Sequence, residues 1–596
     1  MQLYNAPIDD MTFLLNDFLD IKKYSNLSGF SEISPDLIDA ILNEGAKITK
    51  EVLLPLNQIG DKEGCQFNDG EVKTPSGFKE AYKKFIEGGW SSLTCDKSYG
   101  GQGLPSVVGV AFTEMIVSTN IAFGTYPGLT QGAYQAIFQV GNEAQKKLFL
   151  PKLVSGVWTG TMNLTEPHCG TDLGLIKTKA ELVKDDTYNI TGTKIFISAG
   201  EHDLSENIIH LVLARLPDAP SGIKGISLFA VPKFLINNDG SLGKRNNVTC
   251  GSIEQKMGIK ASSTCVMNYD NAVGTLIGEP NKGMRAMFIM MNEARLGVAL
   301  QGLGLSEIAY QNAANYAKER IQGRSLDYDR YPEREADPII VHPDVRRMLL
   351  EIRSFNEGAR ALSLWVALNV DISHKHPDER TRLDSKDLLS LMTPVLKAFL
   401  TDTGFETTNL ALQCFGGHGY IRENGMEQFV RDVRIAQLYE GTSGIQALDL
   451  VGRKLPDRMG RVLRQFFHPV ESFLSENMSS SELKEFTLPL AKSFARLQQA
   501  TAWIAEKGIN DQKQAAAASA DYLKMFGLVA LGFIWAQMAK VCISKLSNSS
   551  SNSDFFETKI KVGEFYMSKI LPETSSLLSR ITSGAETLMA LDEKEF

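Results

Sequence analysis

Apolar residues recur every three or four positions from about residue 34 to residue 153, as in LIDAILNEGAKITKEVLLPLNQIG, and this spacing predicts helices with one buried face. Similar runs follow around Phe78 and Val107, with the glycine-proline loop SYGGQGLP between them. From about residue 159 to residue 279 the period shortens to two, and TYNITGTKIFIS, NIIHLVLARL and GISLFAVP are β-branched runs broken by Gly, Pro, Asn and Asp. After NKGM the helical period returns: Leu305, Ile308, Ala309, Ala313, Tyr316 and Ala317 form one apolar stripe. Helical runs at 345–372 and 388–412 extend this into a bundle of long helices over residues 282–455. The remainder is helical again, interrupted at 547–554 by SNSSSNSD, which reads as a solvated loop. The expectation is a multidomain chain, mainly α with a central β-domain.

Length agrees, since 596 residues exceed what one core supports. With 43% hydrophobic and 22% charged residues, neither wholesale disorder nor a polytopic membrane protein is expected. The net charge of −8 argues against a general nucleic-acid binder, which needs a basic surplus for phosphates. Seven dispersed cysteines, none in a Cys-x-x-Cys pair, suggest neither a disulfide framework nor a zinc site and fit a reducing, cytoplasmic setting. The N-terminal stretch has Asp9 and Asp10 where a signal peptide would be basic, and the C-terminal KEF is not a peroxisomal address. Residues 525–539, MFGLVALGFIWAQMA, are nearly all apolar but short for a bilayer, so a buried helix and no integral membrane segment are expected.

The chain lacks the P-loop, the G-x-G-x-x-G turn and the G-x-S-x-G elbow. His374 and His376 flank Lys375 in a charged loop before a proline and read as loop residues rather than metal ligands. Two segments carry chemistry. TMNLTEPHCGTDLG, from residue 161, is a strand entering a turn rich in hydroxyls and glycines, which can bring N–H groups and the hydroxyls of Thr165 and Thr171 close to a flat polar ring. On local chemistry alone the commoner reading is an ordinary β-turn with Pro167 in its favoured place. In LYEGTSGIQ, from residue 438, Glu440 ends an apolar run, and a half-desolvated carboxylate there is a candidate general base. The alternative is a helix-end acid beside an N-cap Thr or Ser.

In order, TEPHCGTD, KIFISAG, KMGIKASSTC, MNEARLG, AKERIQGRS, LQCFGGHGY and YEGTSGIQ make the chain resemble the acyl-CoA dehydrogenase family over about residues 38–454. The start YNAPIDDMTFLL, an apparent insertion GEHDLSENIIHLVLARLPDAP and the extra helical C-terminus resemble its large bacterial branch, which includes broad-range fatty acyl-CoA and 3-(methylthio)propanoyl-CoA dehydrogenases. The resemblance implies a helical N-domain (38–158) after an extension (1–37), a β-barrel-like middle domain (159–281), a four-helix domain (282–455) and an additional C-terminal helical domain (456–596).

It also implies FAD and an acyl-CoA substrate dehydrogenated to the trans-2-enoyl-CoA. Glu440 matches the base that takes the α-proton, while the β-hydrogen leaves as hydride to flavin N5. Met162, Leu164, Thr165, Gly170 and Thr171 match the strand and turn around the flavin, Phe196 and Ser198 match residues that cover it, and Thr442 matches a flavin-contacting threonine. Phe196 stands where Trp is common, and Gly444 replaces a frequent Gln or Glu, so that contact is not carried over. Arg320, Gln413 and Gly417 match residues reaching a neighbouring subunit's FAD, which implies a homodimer. Met291, Asn292 and Arg295 match the helix beside CoA, although Arg295 could equally form an intersubunit or interhelix salt bridge. Some members carry the base at the position of Ala294, which cannot serve, and the adjacent Glu293 is turned about a hundred degrees around the helix.

The chemistry requires such parts, because a carboxylate with a pKa near 4.3 removes a thioester α-proton only when the carboxylate is desolvated and the enolate stabilised. One preorganised donor to the thioester oxygen is worth about 2.7–4 kcal/mol. Electron-transferring flavoprotein is the expected acceptor. Competing readings are an acyl-CoA oxidase passing electrons to oxygen, a non-catalytic acyl-CoA-binding scaffold, and a membrane-docking role for the C-terminal domain.

Overall fold

The β-branched runs become the strands of one sheet, and the helical runs become sixteen α-helices among the residues that the computed structural model describes: 2–237, 239–327, 330–548, 552–596 and, for residue 293, the backbone alone. Ser549 to Ser551, within the expected solvated loop, and the side chain of Glu293 lie outside the described residues. The helices are α1 (Ile8–Phe13), α2 (Pro35–Ile48), α3 (Pro55–Glu63), α4 (Phe78–Glu87), α5 (Ser106–Val140), α6 (Glu143–Val154), α7 (Gly283–Glu319) and α8 (Pro343–Lys375). They continue as α9 (Glu379–Cys414), α10 (Met426–Arg434), α11 (Ser443–Asp449), α12 (Arg461–Asn477), α13 (Lys484–Asn510), α14 (Gln512–Ser547), α15 (Ser553–Phe565) and α16 (Thr574–Thr582). By contacts the chain divides into a β unit, Glu44–Leu104 with Met115–Gly297, and a helical unit, Met1–Asn43 with Pro105–Glu114 and Val298–Phe596.

In the β unit a hairpin of β1 (Gln66–Asn68) and β2 (Glu71–Lys73) interrupts the stretch expected to be helical. Its cause is Asp69-Gly70, both at positive φ (45° and 82°), the backbone of a tight two-residue hairpin turn. The main strands are β3 (Trp158–Asn163), β4 (Lys179–Lys184), β5 (Thr187–Ser198), β6 (Asn207–Arg215) and β7 (Ile226–Pro232). Then come a small pair, β8 (Phe234–Ile236) and β9 (Leu242–Arg245), followed by β10 (Val248–Ile253) and β11 (Thr264–Ile277).

Strand β5 pairs with β4 and β11, β6 pairs with β4 and β7, and β7 pairs with β11, so five strands close a ring with β3 and β10 added outside it. This is a barrel-like sheet. Strand β6 is buried along nearly its whole length because its two faces meet different cores. Ile209, Leu211 and Leu213 pack with Tyr134, Ile137, Phe149 and Leu150 of α5 and α6, whereas Val212 and Ala214 pack with Ile190, Phe229 and Met267. The stretch resembling an insertion therefore supplies a central strand.

In the helical unit, α7 and α9 cross closely. A Cβ on Gly302 would lie 2.1 Å from the Leu400 carbonyl oxygen, and one on Gly404 would lie 2.5 Å from Gly302 Cα. The apolar stretch 525–539 is the buried middle of the 36-residue α14, a buried helix as expected, although the helix is longer than the apolar run suggested. Both α5 and α14 are long and apolar enough to cross a membrane by composition, but 83% and 78% of their most apolar windows are buried within the protein. Such burial is the behaviour of core helices; α5 is also broken at Asn120 (φ −161°, ψ 83°).

A buried charge cluster ties distant segments of this unit together. Arg360 pairs with Asp10 (2.6 Å), Glu114 (2.7 Å) and Glu307 (2.9 Å), while Lys559 pairs with Asp10 (2.5 Å) and Glu357 (2.7 Å). The N-terminal extension is thereby anchored to α8 and α15. Its backbone is read by two carboxamides: Asn312 bonds Leu3 N–H (2.9 Å) and C=O (2.8 Å), and Gln311 bonds Asn5 in the same way (2.8 Å each).

Candidate active site

Glu440 sits in the helical unit at φ 57°, followed by Gly441 at φ 83°. Left-handed backbone costs a non-glycine residue about 1–3 kcal/mol and persists where surroundings over-determine it. Here they do. Gln446 Nε2 donates to the Glu440 carbonyl at 2.8 Å, and the fully buried Lys397 donates from Nζ to the Gly441 carbonyl at 2.6 Å. The Tyr439 phenol donates to Gln301 Oε1, next to the α7–α9 crossing, and burial holds it well above its usual pKa, so it remains a donor. Asp402 accepts from Ser443 Oγ (2.6 Å) and Gln437 Nε2 (2.8 Å).

Thr442 caps α11, its Oγ1 accepting from Ile445 N–H at 3.3 Å, which leaves the hydroxyl hydrogen free to donate. The helix-cap reading of this segment is therefore correct for Thr442, alongside the strained setting of Glu440.

The expected flavin wall lies in the β unit. Strand β3 delivers Met162, and Leu164 and Thr165 follow it, with Thr165 C=O accepting from Ile195 N–H at 2.9 Å. The turn tip closes where Glu166 and Cys169 exchange two backbone bonds (2.9 and 3.0 Å). Gly170 and Thr171 are exposed beyond it. The hydroxyls of Thr165 and Thr171 have no partner among the described residues, so both can bond a ligand.

Phe196 lies at a register shift of β5 against β11, at φ 58°, with its ring 60% exposed. Left-handed backbone is an outlier for so bulky a residue and marks Phe196 as a special position. Ser198, two residues on, is half-buried, and its carbonyl accepts from Thr161 Oγ1 at 2.6 Å. These residues suit a flavin.

Beneath the turn is an ion pair that the sequence reading missed. Lys194, fully buried, donates to Glu166 Oε1 (2.9 Å) and to the Leu164 carbonyl (3.0 Å), bracketing Thr165. Glu166 also accepts from Lys177 N–H (2.7 Å), Thr178 N–H (3.0 Å) and Thr178 Oγ1 (2.6 Å). Burial opposes the charge on Glu166, but Lys194 and these donors hold its carboxyl below the usual range. Among the described residues Glu166, His168 and Cys169 are grouped as metal ligands could be, yet the Glu166 oxygens are already taken; His374 and His376 belong to no such group.

Of the residues expected near CoA, Met291 and Arg295 are half-buried and Asn292 is exposed on α7. Arg295 Nε is buried without a hydrogen-bond partner, and among the described residues no carboxylate pairs with the side chain. Arg320, Gln413 and Gly417 are all exposed. The end of α7 meets the loop after α9 through Tyr316, stacked on Phe415 at 4.1 Å and bonded to His418 Nδ1 at 2.8 Å, which brings Arg320 to the same end as Gln413 and Gly417.

Lys194, Glu166, Lys397, Gln446 and Gln301 carried one legible signal: Lys397 stands in the apolar run PVLKAFL, and Lys194 stands within the β-branched run of β5. A charged residue inside such a run needs a buried partner.

Family models described as acyl-CoA dehydrogenase N-terminal, middle and C-terminal domains match residues 48–157, 161–272 and 281–455. One described as acetyl-CoA dehydrogenase C-terminal like matches 466–592. The chain is 41% identical to a 3-methylmercaptopropionyl-CoA dehydrogenase of Ruegeria pomeroyi, covering 98% of this chain and 99% of that protein. It is 34% identical to a butyryl-CoA dehydrogenase of Syntrophomonas wolfei, covering 100% and 99%. A broad-specificity linear acyl-CoA dehydrogenase of Mycobacterium tuberculosis is 31% identical, with 100% of each chain covered. The fold matches that of Caenorhabditis elegans ACDH-11 in complex with C11-CoA at a TM-score of 0.78 and 19% identity, over 98% of this chain and 95% of that one. By sequence and by fold, the chain belongs to the acyl-CoA dehydrogenase family of FAD-dependent oxidoreductases.

Proposed function

We propose that this protein dehydrogenates a short, unbranched acyl-CoA thioester to the trans-2-enoyl-CoA, with Glu440 taking the α-proton and 3-(methylthio)propanoyl-CoA as the preferred substrate. The observation that carries the assignment of the base is the Glu440–Gly441 turn, held in left-handed backbone by Gln446 and Lys397. A carboxylate at so constrained a position is suited to one proton transfer in one direction. FAD, when bound, supplies the hydride acceptor; Thr165, Thr171, Phe196 and Ser198, with Met162, Leu164 and Gly170, would hold it, and in the helical unit Thr442 keeps a hydroxyl hydrogen to donate. Met291, Asn292 and Arg295 flank CoA, the unpartnered Arg295 Nε being suited to an anionic group.

The substrate choice rests on the relatives. A methylthiopropanoyl chain has the length of a pentanoyl chain, so the 41% and 34% relatives both act on short acyl groups by name. A homodimer is supported by the exposure of Arg320, Gln413 and Gly417 beside exposed Ile321, Tyr420 and Ile421. We further propose electron-transferring flavoprotein as the acceptor, the domain division at 38, 159, 282 and 456, and a cytoplasmic setting.

An acyl-CoA panel with a ferrocenium acceptor tests this reading. The expected result is the highest kcat/KM for 3-(methylthio)propanoyl-CoA, a similar value for pentanoyl-CoA and a steep fall by hexadecanoyl-CoA, with oxygen unable to replace the acceptor. Preference for hexadecanoyl-CoA contradicts the substrate; turnover on oxygen alone makes the protein an oxidase.

A further inference from the structure

Arg215 ends β6 and spends its charge in an unusual way. Among the described residues no carboxylate pairs with it, and every bond its guanidinium donates ends on a main-chain carbonyl. Nε donates to Ile176 (2.9 Å), Nη2 to Gly174 (2.6 Å) and Gly222 (2.9 Å), and Nη1 to Pro220 (3.1 Å). These carbonyls belong to two loops of the β unit. One, 172–176, leaves the turn that carries Thr165 and Thr171; the other, 216–225, joins β6 to β7.

The loops touch where the guanidinium ties them: a Cβ on Gly174 would lie 3.5 Å from Gly222 Cα, and one on Gly225 would lie 1.8 Å from the Pro220 carbonyl oxygen. Within the first loop three successive carbonyls are held by side chains. Arg215 takes those of Gly174 and Ile176, and His168, at the tip of the turn, donates from Nε2 to that of Leu175 at 2.9 Å. Asp172 Oδ1 accepts from Gly174 N–H at 3.0 Å. Arg215 N–H donates to the Thr178 carbonyl at 2.9 Å, and Thr178 is also the residue whose N–H and hydroxyl Glu166 accepts. Thr171 therefore lies between the Glu166–Cys169 closure and the carbonyls that Arg215 holds. Only a planar fork of donors spans two loops in this way; an ammonium is a point charge and cannot.

We propose that Arg215 is a positioning residue for the flavin wall: its guanidinium knots loop 172–176 to loop 216–225 and so fixes the exit of the turn that presents Thr171 to FAD. A wall that is already shaped before its ligand arrives binds without paying to order itself. The assignment deepens the reading of Thr165 and Thr171 as part of that wall and rests on it.

The test uses the FAD-loaded full-length protein, with release of FAD on dilution followed by flavin fluorescence. Arg215→Met should raise the FAD dissociation constant roughly tenfold, the scale of one or two hydrogen bonds lost from a ligand. The visible circular dichroism of the flavin that stays bound should change, because the wall against it has moved. Trypsin should cut sooner after the exposed Lys224, in the loop that has lost its tie. In Arg215→Ala, guanidinium chloride at low concentration should restore FAD affinity, and sodium chloride should not.

Should Arg215→Met fail to fold, Arg215→Lys keeps a cation that cannot span the two loops and is read by the same signals. Wild-type FAD release and dichroism in the variant that folds overturn the proposal. A loss of affinity that follows a lower Tm, with the dichroism of bound flavin unchanged, overturns it too, since Arg215 would then only support the fold. Thr165→Val and Thr171→Val separate the two readings. If both hold FAD as the wild type does, the wall is wrong, whereas if they release it faster while Arg215→Met behaves as wild type, only the role of Arg215 is wrong.

Discussion

The two units each place a fully buried lysine under the segment that carries their chemistry, but the bonds it makes there differ in kind. In the β unit, Lys194 is neutralised by Glu166, a carboxylate that also accepts three further hydrogen bonds, and the pair leaves no net charge beneath Thr165. In the helical unit, Lys397 donates to the Gly441 carbonyl and so fixes the backbone of the turn that carries Glu440. The contrast matches what each segment does under the proposed function. A wall for a cofactor needs shape; a base needs a fixed aim.

The comparison breaks most visibly if the pair in the β unit is cut. Lys194→Met leaves the Glu166 carboxylate buried without its cation, and losing one partner of a buried pair costs about 3–5 kcal/mol. The variant should show a lower Tm and a loss of FAD on gel filtration. Retention of both would mean that the pair is dispensable for the wall.

A second, smaller effect distinguishes the units by pH. In the β unit His202 and His210 are fully buried, and burial, with the nearby Lys233 charge, pushes both down to about 3. They fold neutral. Stability from this source is fully present above the unfolded value near 6.5 and falls with pH below it, by roughly 2 kcal/mol per histidine at pH 5.

In the helical unit, burial raises Glu114 to about 7 despite Arg360. The folded acid holds its proton more tightly than the unfolded one, so stability from this source is highest below about 4.5 and declines as pH rises towards 7, by an amount on the order of 2–3 kcal/mol. Between pH 7 and pH 5 the two slopes are opposite. Hydrogen exchange corrected for intrinsic rates should show β6 and β7 losing protection on acidification while α8 gains it. The same sign in both elements would refute this account.

How much of this was legible in the sequence depended on range. Strand β5 coincides with TYNITGTKIFIS, and β6 and β7 fall inside the other two alternating runs, because a period of two is a local property. The segments carrying Thr165 and Glu440 were legible for the same reason. Ring closure of the sheet was not, since it depends on β7 meeting both β6 and β11, and neither were the partners Gln301 and Lys397, each far from residue 440 in sequence. The β1–β2 hairpin was missed although Asp69-Gly70 announces it, because amphipathic helices on both sides dominated the pattern. Helix α14 was underestimated because its ends are polar, and an apolar window measures the buried middle of a helix rather than its length.

The account depends above all on Glu440, and stopped-flow bleaching of the FAD-loaded Glu440→Gln variant by excess acyl-CoA tests it most directly. The amide keeps the shape and the turn contacts but cannot accept the α-proton, so acyl-CoA should bind as in the wild type while bleaching slows by about a hundredfold or more. Bleaching at the wild-type rate would contradict the assignment and move attention to Glu293.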